Sequence, residues 1–272
     1  MRTNVIPTVI VSSFFWSVLF LIIYALGAPA TLLGELQSPF RNMVYVFLLF
    51  HLVNCFVEFF FHRYMLHAKP LAVFSKSRNP LRMLFFLNNY FCTAHRHHHQ
   101  ITPERHYNIT EKHQEEASHF PLYALPAFFG VAFILLLPVK FLFPHMPIIL
   151  CGYAAICFSY SAYEIKHALH HETFGGRWKQ FVEARGFLGI LGKAMHVGHR
   201  IHHSNMLLYE NVFGFFGLPI ADWMFGTLDI RRNLTPEGAL IPIPEHEKPT
   251  PIWLIKVLDQ WTEKQESLLT TS

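Results

Sequence analysis

The stretch Pro147–His171, PIILCGYAAICFSYSAYEIKHALHH, decides how this chain is read. From Ile148 to Tyr163 it carries no Asp, Glu, Lys or Arg. That is about 16 residues, or roughly 24 Å of helix at 1.5 Å per residue, a little short of a bilayer core. The helix is therefore expected to run on past the membrane, into His167, His170 and His171. Residues spaced i, i+3 and i+4 share one helix face, so the run can aim imidazoles at a single point where an apolar span ends.

Working outward, three more apolar runs read as spans. Thr3 to Gly34 lacks any charge, and Ile6 to Leu26 is apolar enough to cross. It is too long for a signal-peptide core and predicts a retained span over 6–26. Asn42 to Val57 is also charge-free, and the run continues past Glu58 to Phe61, predicting a span over 42–61. Ala117 to Val139 predicts a third, over 119–139, and Ile148 opens the fourth, over 148–163. The last two form a helical hairpin turning at Lys140–Pro147. Two further apolar stretches, Leu81–Cys92 and Leu207–Phe225, are too short to cross and are expected at the interface or capping the spans, where Trp178, Trp223, Trp253 and Trp261 would suit it. A short helix is expected from Ile252 to Leu269.

Composition agrees. Of 272 residues, 52% are hydrophobic and 15% charged, and Phe occurs 28 times; ordinary soluble domains carry about 25% charged residues. A net charge of +4 is too weak to argue for nucleic acid. Cys55, Cys92, Cys151 and Cys157 form no CxxC pair and read as small buried thiols. With four spans, placing the N-terminus, 62–119 and 164–272 in the cytosol puts 20 of the 22 Lys and Arg there, leaving Arg41 and Lys140 outside. The positive-inside rule favours that orientation. The fold expected is an all-α, multi-pass membrane protein with about four transmembrane helices. A cytosolic helical cap, 62–118 and 164–227, holds a histidine-rich dimetal site, and 228–272 forms a tail.

Histidine is the residue in excess, with 19 in the chain, and this topology puts all but His51 and His145 on the cytosolic side. Four clusters stand out: His62 and His67 in HRYMLH, His95, His98 and His99 in HRHHH, His167, His170 and His171 in HALHH, and His199, His202 and His203 in HRIHH. Neutral imidazole suits zinc, iron, copper and nickel. One ion takes four to six ligands, so about ten clustered histidines imply two ions. The spacing of five between His62 and His67 fits no ideal helix face and calls for a helix that ends or distorts there. Neutral ligands leave the metal charge uncompensated, so carboxylates are expected behind them. Glu58 lies one turn before His62, Glu164 three residues before His167, and Asp222 near the end of the second short apolar stretch. His97, His106, His113, His170 and His196 are secondary ligand candidates. His51 reads as a packed residue within a span, and His119, His145 and His246 as flank residues.

The ordered set HRYMLH, HRHHH, YEIKHALHH and HRIHH resembles the membrane-bound fatty acid hydroxylase and sterol desaturase superfamily, over roughly residues 50–227. Asn211, Gly214 and Asp222-x-x-x-Gly226-Thr227 match that family's ending. Ala221 stands where the family often has tryptophan, and Gln100–Glu104 replaces the Pro-x-Asp of fatty acid 2-hydroxylases. The resemblance implies metal ligands at His62, His67, His95, His98, His99, His167, His171, His199, His202 and His203, with the family's acidic residue at Glu164. It also implies one membrane oxidase domain over 1–272 and two ferrous ions, with zinc able to occupy such a site in purified samples. The implied activity is O2-dependent hydroxylation of an unactivated lipid C–H bond. No fused haem domain is found, so an external electron donor of cytochrome or ferredoxin type is expected, and no nucleic acid. A sterol or alkyl-lipid desaturase on the same scaffold is the alternative, and a metal transporter a distant third. The site is expected to face the cytosol, in a bacterial inner membrane or an endoplasmic reticulum.

Overall fold

The structure, a computed structural model, describes residues 5–77, 80–121, 123–204, 211–229, 233–241 and 249–270. Arg2, His246 and the start of the second short apolar stretch lie outside them. Among the described residues the fold is all-α, with no strand beyond two isolated bridges. The helices are α1 (Val5–Gly27), α2 (Pro29–Leu36), α3 (Phe40–Phe61), α4 (Leu81–Ile101), α5 (Lys112–Ala117), α6 (Ala124–Leu142), α7 (Ile148–His170), α8 (Arg177–Val182), α9 (Phe187–Ser204), α10 (Ile220–Phe225) and α11 (Trp253–Thr270). Four segments are long and apolar enough to cross a membrane: Ile6–Gly27, Phe40–Leu66, Ala124–Leu142 and Ile148–His170.

The chain forms two compact units, one of 1–55 and 119–169, the other of 56–118 and 170–272. The first is the apolar bundle. Phe20 stacks on Tyr153 with ring centroids 3.7 Å apart, and Phe129 meets Tyr153 edge-on at 4.7 Å. A buried ion pair closes one end of it: Glu35 accepts the Ile149 and Leu150 N–H groups at the start of α7 and pairs with Lys140 at 2.9 Å. A carboxylate there satisfies orphan donors at a positive helix end. His51 is fully buried, with Nδ1 2.9 Å from the Ser159 hydroxyl, which fits the packed role expected of it.

Two boundaries differ from the sequence reading. The third span begins at Ala124, not near 119, because Ser118–Pro121 interrupts the chain after α5, a six-residue helix opened by a Glu111/Gln114 capping box. Leu81–Cys92 is the first half of α4, whose second half carries HRHHH. Of the four tryptophans assigned to an interfacial cap, Trp223, Trp253 and Trp261 are exposed, whereas Trp178 is buried.

The second unit carries most of the histidines. Its distinctive local feature is the turn that follows α3. Over His62–Leu66 the helix widens to a π-turn, and the His67 N–H reaches the His62 carbonyl at 3.1 Å, an i→i+5 bond. Fully buried Asn88, on α4, donates from one amide to the carbonyls of Tyr64, Met65 and Ala68, at 3.3, 3.3 and 2.9 Å. That single side chain takes up carbonyls at the end of the widened helix.

Candidate metal centre

The π-turn answers the awkward spacing of HRYMLH. In a regular α-helix residues five apart point about 140° away from each other. Here the His62 and His67 ring centroids come within 4.7 Å. His95 from α4 and His202 from α9 join them, and one ring nitrogen from each of the four lies within 4.8 Å of the others. Beside this first group lies a second, in which His98 of α4, His203 of α9 and His171, just after α7, bring nitrogens within the same 4.8 Å. His167 is buried one helical turn before His171.

The HxxHH motifs do not each converge on one point. HRHHH sends His95 to the first group and His98 to the second; HRIHH sends His202 to the first and His203 to the second. His202 and His203 are adjacent and point in different directions around α9, whereas His95 and His98 lie about one turn apart along α4, so each helix serves both groups.

His99 and His199 lie at the edges. His99 Nε2 is 3.1 Å from His95 Nε2, and its ring stacks on His203 at 4.1 Å. His199 Nε2 is 3.3 Å from His171 Nε2, and His67 Nε2 is 3.1 Å from His202 Nε2. Two nitrogens bound to one ion at about 2.0–2.1 Å lie about 2.8–3.4 Å apart for octahedral to tetrahedral angles. These three separations therefore have the length of coordination edges, and the residues fit a metal.

Protonation state and orientation also fit. Burial first, and then the neighbouring imidazoles, hold His67, His95, His98 and His99 well below the usual histidine range, so all four are neutral at pH 7, the form that can bind a metal. Carbonyls can only accept, so each ring nitrogen facing one must carry the proton. His203 Nδ1 donates to the Thr102 carbonyl and His171 Nδ1 to the Tyr107 carbonyl, both at 2.7 Å. Both rings are thereby locked in the tautomer that leaves the Nε2 lone pair to a metal.

Two of the expected carboxylates, Asp222 and Glu164, anchor backbone N–H groups. Asp222, fully buried, accepts the N–H groups of Asn211 and Val212 and the Thr227 hydroxyl, at 2.8, 2.6 and 2.8 Å. Asn211 in turn donates to the Gly198 carbonyl in the middle of α9. A Cβ on Gly198 would come 2.7 Å from Phe213, so only glycine lets this loop lie against the helix. Gly226, at φ 69°, ends α10 and returns the chain to Thr227. Asp222 is thus a latch that seats the helix carrying HRIHH. Glu164 faces His119 Nδ1 at 3.5 Å and accepts the Phe120 N–H at 3.3 Å, which also gives His119 more than a flank role. Glu58 is half-buried, one turn before His62.

Among the secondary candidates, His97, His106 and His113 are exposed. His170 is sandwiched between Trp178 at 4.7 Å and His199 at 4.4 Å, and His196 lies 3.3 Å from the Gly238 carbonyl. Sequence reasoning missed Thr102, Tyr107 and Asn88. The first two orient ligands through backbone carbonyls, which no side-chain pattern reports. Asn88 left no signal beyond being a polar residue in an apolar stretch.

Comparison with protein-family models, with curated proteins and with solved structures returned no match to this chain.

Proposed function

We propose that this protein is a membrane-bound oxidoreductase of the fatty acid hydroxylase and sterol desaturase type. It uses two iron ions, dioxygen and an external electron donor to hydroxylate an unactivated C–H bond of a lipid. One observation carries the proposal: two adjacent, all-histidine groups are assembled from dispersed motifs at the ends of apolar helices. Iron bound there would supply the one-electron and dioxygen chemistry that a C–H bond requires and that zinc lacks.

The chain's own residues do the rest. His62, His67, His95 and His202 hold one ion, with His99 at its edge. His98, His171 and His203, with His199 at the edge, would hold the other. The Thr102 and Tyr107 carbonyls keep two of these rings aimed, and Asp222 and Asn211 seat α9. The site faces the cytosol, where the Lys and Arg excess lies, so a lipid reaches it from the bilayer and electrons from the aqueous side. A transporter would concentrate ligands at mid-span, where His51 alone sits.

Comparing lipids of cells with and without the gene by mass spectrometry tests the activity. A product heavier by one oxygen is expected. A product lighter by two hydrogens would make the protein a desaturase on the same scaffold. No change in any lipid, together with metal flux in liposomes, would replace the oxidase with the transporter.

A further inference from the structure

We propose that the C-terminal helix α11 is a clasp that positions the first histidine group. Asp259 and Glu266 act through Arg63 and Arg96 on the backbone that carries His62 and His67. The clasp rests on the metal-binding reading above and adds residues that no histidine motif contains.

Arg63 lies inside the π-turn, next to His62, and is 6% exposed. Its Nε and Nη2 donate to the two carboxylate oxygens of Asp259, at 2.9 and 2.7 Å. The Tyr64 hydroxyl donates to the same carboxylate at 3.0 Å. A buried guanidinium needs a partner, and a two-pronged carboxylate contact fixes its direction as well as its charge. Two turns further along α11, Glu266 accepts the Lys69 N–H at 2.7 Å and the Arg96 guanidinium at 3.2 Å. Arg96 follows His95, and both its Nε and Nη2 donate to the carbonyl of His67. The two acidic residues therefore grip the chain on either side of His67. Ile255, one turn before Asp259, and Thr262, between Asp259 and Glu266, are buried on the same face of α11, which places this acidic face inward.

Such a grip has a specific task. A π-turn is a poor conformation by itself and persists where its surroundings hold it. Relaxing it to a regular helix would swing His67 away from His62 and open the first group. The second group is oriented differently, by the carbonyls of Thr102 and Tyr107. Loss of the clasp should therefore empty one site and spare the other.

The full chain, purified in detergent and reloaded with Fe2+, is titrated against a chelator, counting ions per chain for wild type, the double variant Asp259→Asn/Glu266→Gln, and Asp259→Glu. Wild type should hold two ions. The double variant should hold one as tightly as wild type and bind the other about 10–100-fold more weakly. Asp259→Glu, which keeps the charge, should retain most of the wild-type affinity at both sites. Glu116→Gln, in an exposed pair with Lys112, serves as control and should change nothing. If the double variant does not fold, the single variants Asp259→Asn and Glu266→Gln are scored by the same titration. Two ions retained at wild-type affinity, or both lost in step with helix content, would overturn the clasp while leaving the metal site standing. A wild type that binds no metal would remove the site itself, and the clasp with it.

Discussion

The two histidine groups lie side by side and share α4 and α9, yet they are built by opposite means. The first depends on an irregular backbone: a π-turn, one asparagine that caps three carbonyls, and ion pairs to a helix almost 200 residues away in sequence. The second depends on main-chain carbonyls that immediately follow its own helices, Thr102 after α4 and Tyr107 a few residues later. A carbonyl fixed by the chain path cannot be removed by substitution, whereas a side-chain brace can. The second group is thus the sturdier, and the first is the one open to disturbance from a distance.

The largest effect should come from deleting ligands. His202→Ala and His203→Ala alter neighbouring residues of one helix, yet each removes a ligand from a different group. Each variant should lose one ion per chain and all turnover, and metal analysis with product assay checks both. Loss of both ions from either variant would mean that the groups form one indivisible site.

Acid should act next. Buried histidines that stay neutral in the folded state have depressed pKa values, so the unfolded chain takes up protons that the folded chain refuses. Stability is then intact above about pH 6.5 and falls as pH drops. His196, outside both groups, is held near 4, by burial first and by the Arg200 charge second. At about 1.4 kcal/mol per unit it alone should cost about 3 kcal/mol between pH 6.5 and pH 4. Denaturation of the metal-free protein across that range should show a steeper loss for wild type than for His196→Gln.

A subtler test uses Asn88→Ala, which strips the π-turn of its caps. Leaving buried carbonyls unpaired should cost about 1–3 kcal/mol, read as a fall in melting temperature. Iron should weaken in the first group before the second. The smallest change should come from Tyr107→Phe. The Tyr107 ring lies against His171 and His203, but its hydroxyl is buried without a partner among the described residues. Removing the hydroxyl should leave metal content unchanged and stability equal or up to about 1 kcal/mol higher. A loss of metal would assign the hydroxyl a task.

Much of this was legible from residue order. Four long, charge-free runs demand helices wherever lipid must be crossed, because every backbone polar group then needs an internal partner. Spaced histidines announced clusters that could hold a metal ion, and the fold brings them together in two groups. The boundaries were less legible. Ser118–Pro121 breaks the third apolar run in a way that hydropathy averages over. Trp178 looks interfacial from composition but is buried against His170, because only packing decides which face of a short helix turns inward. The loop that the Asp222 carboxylate holds was not legible either, since a carboxylate goes to whichever buried N–H groups the fold leaves orphaned.

The sequence by itself determined the all-helical class, the four candidate spans and the histidine-rich motifs, all of which follow from local rules of length, charge and helical period. Tertiary structure alone decided how the histidines divide. Which nitrogens meet depends on the relative rotation of α4 and α9 and on a helix widened by its neighbours, and those contacts join residues far apart in the chain. The spacing of five in HRYMLH posed the question; Asn88, Asp259 and Glu266 answer it, because a strained turn is held by what packs against it and not by its own residues.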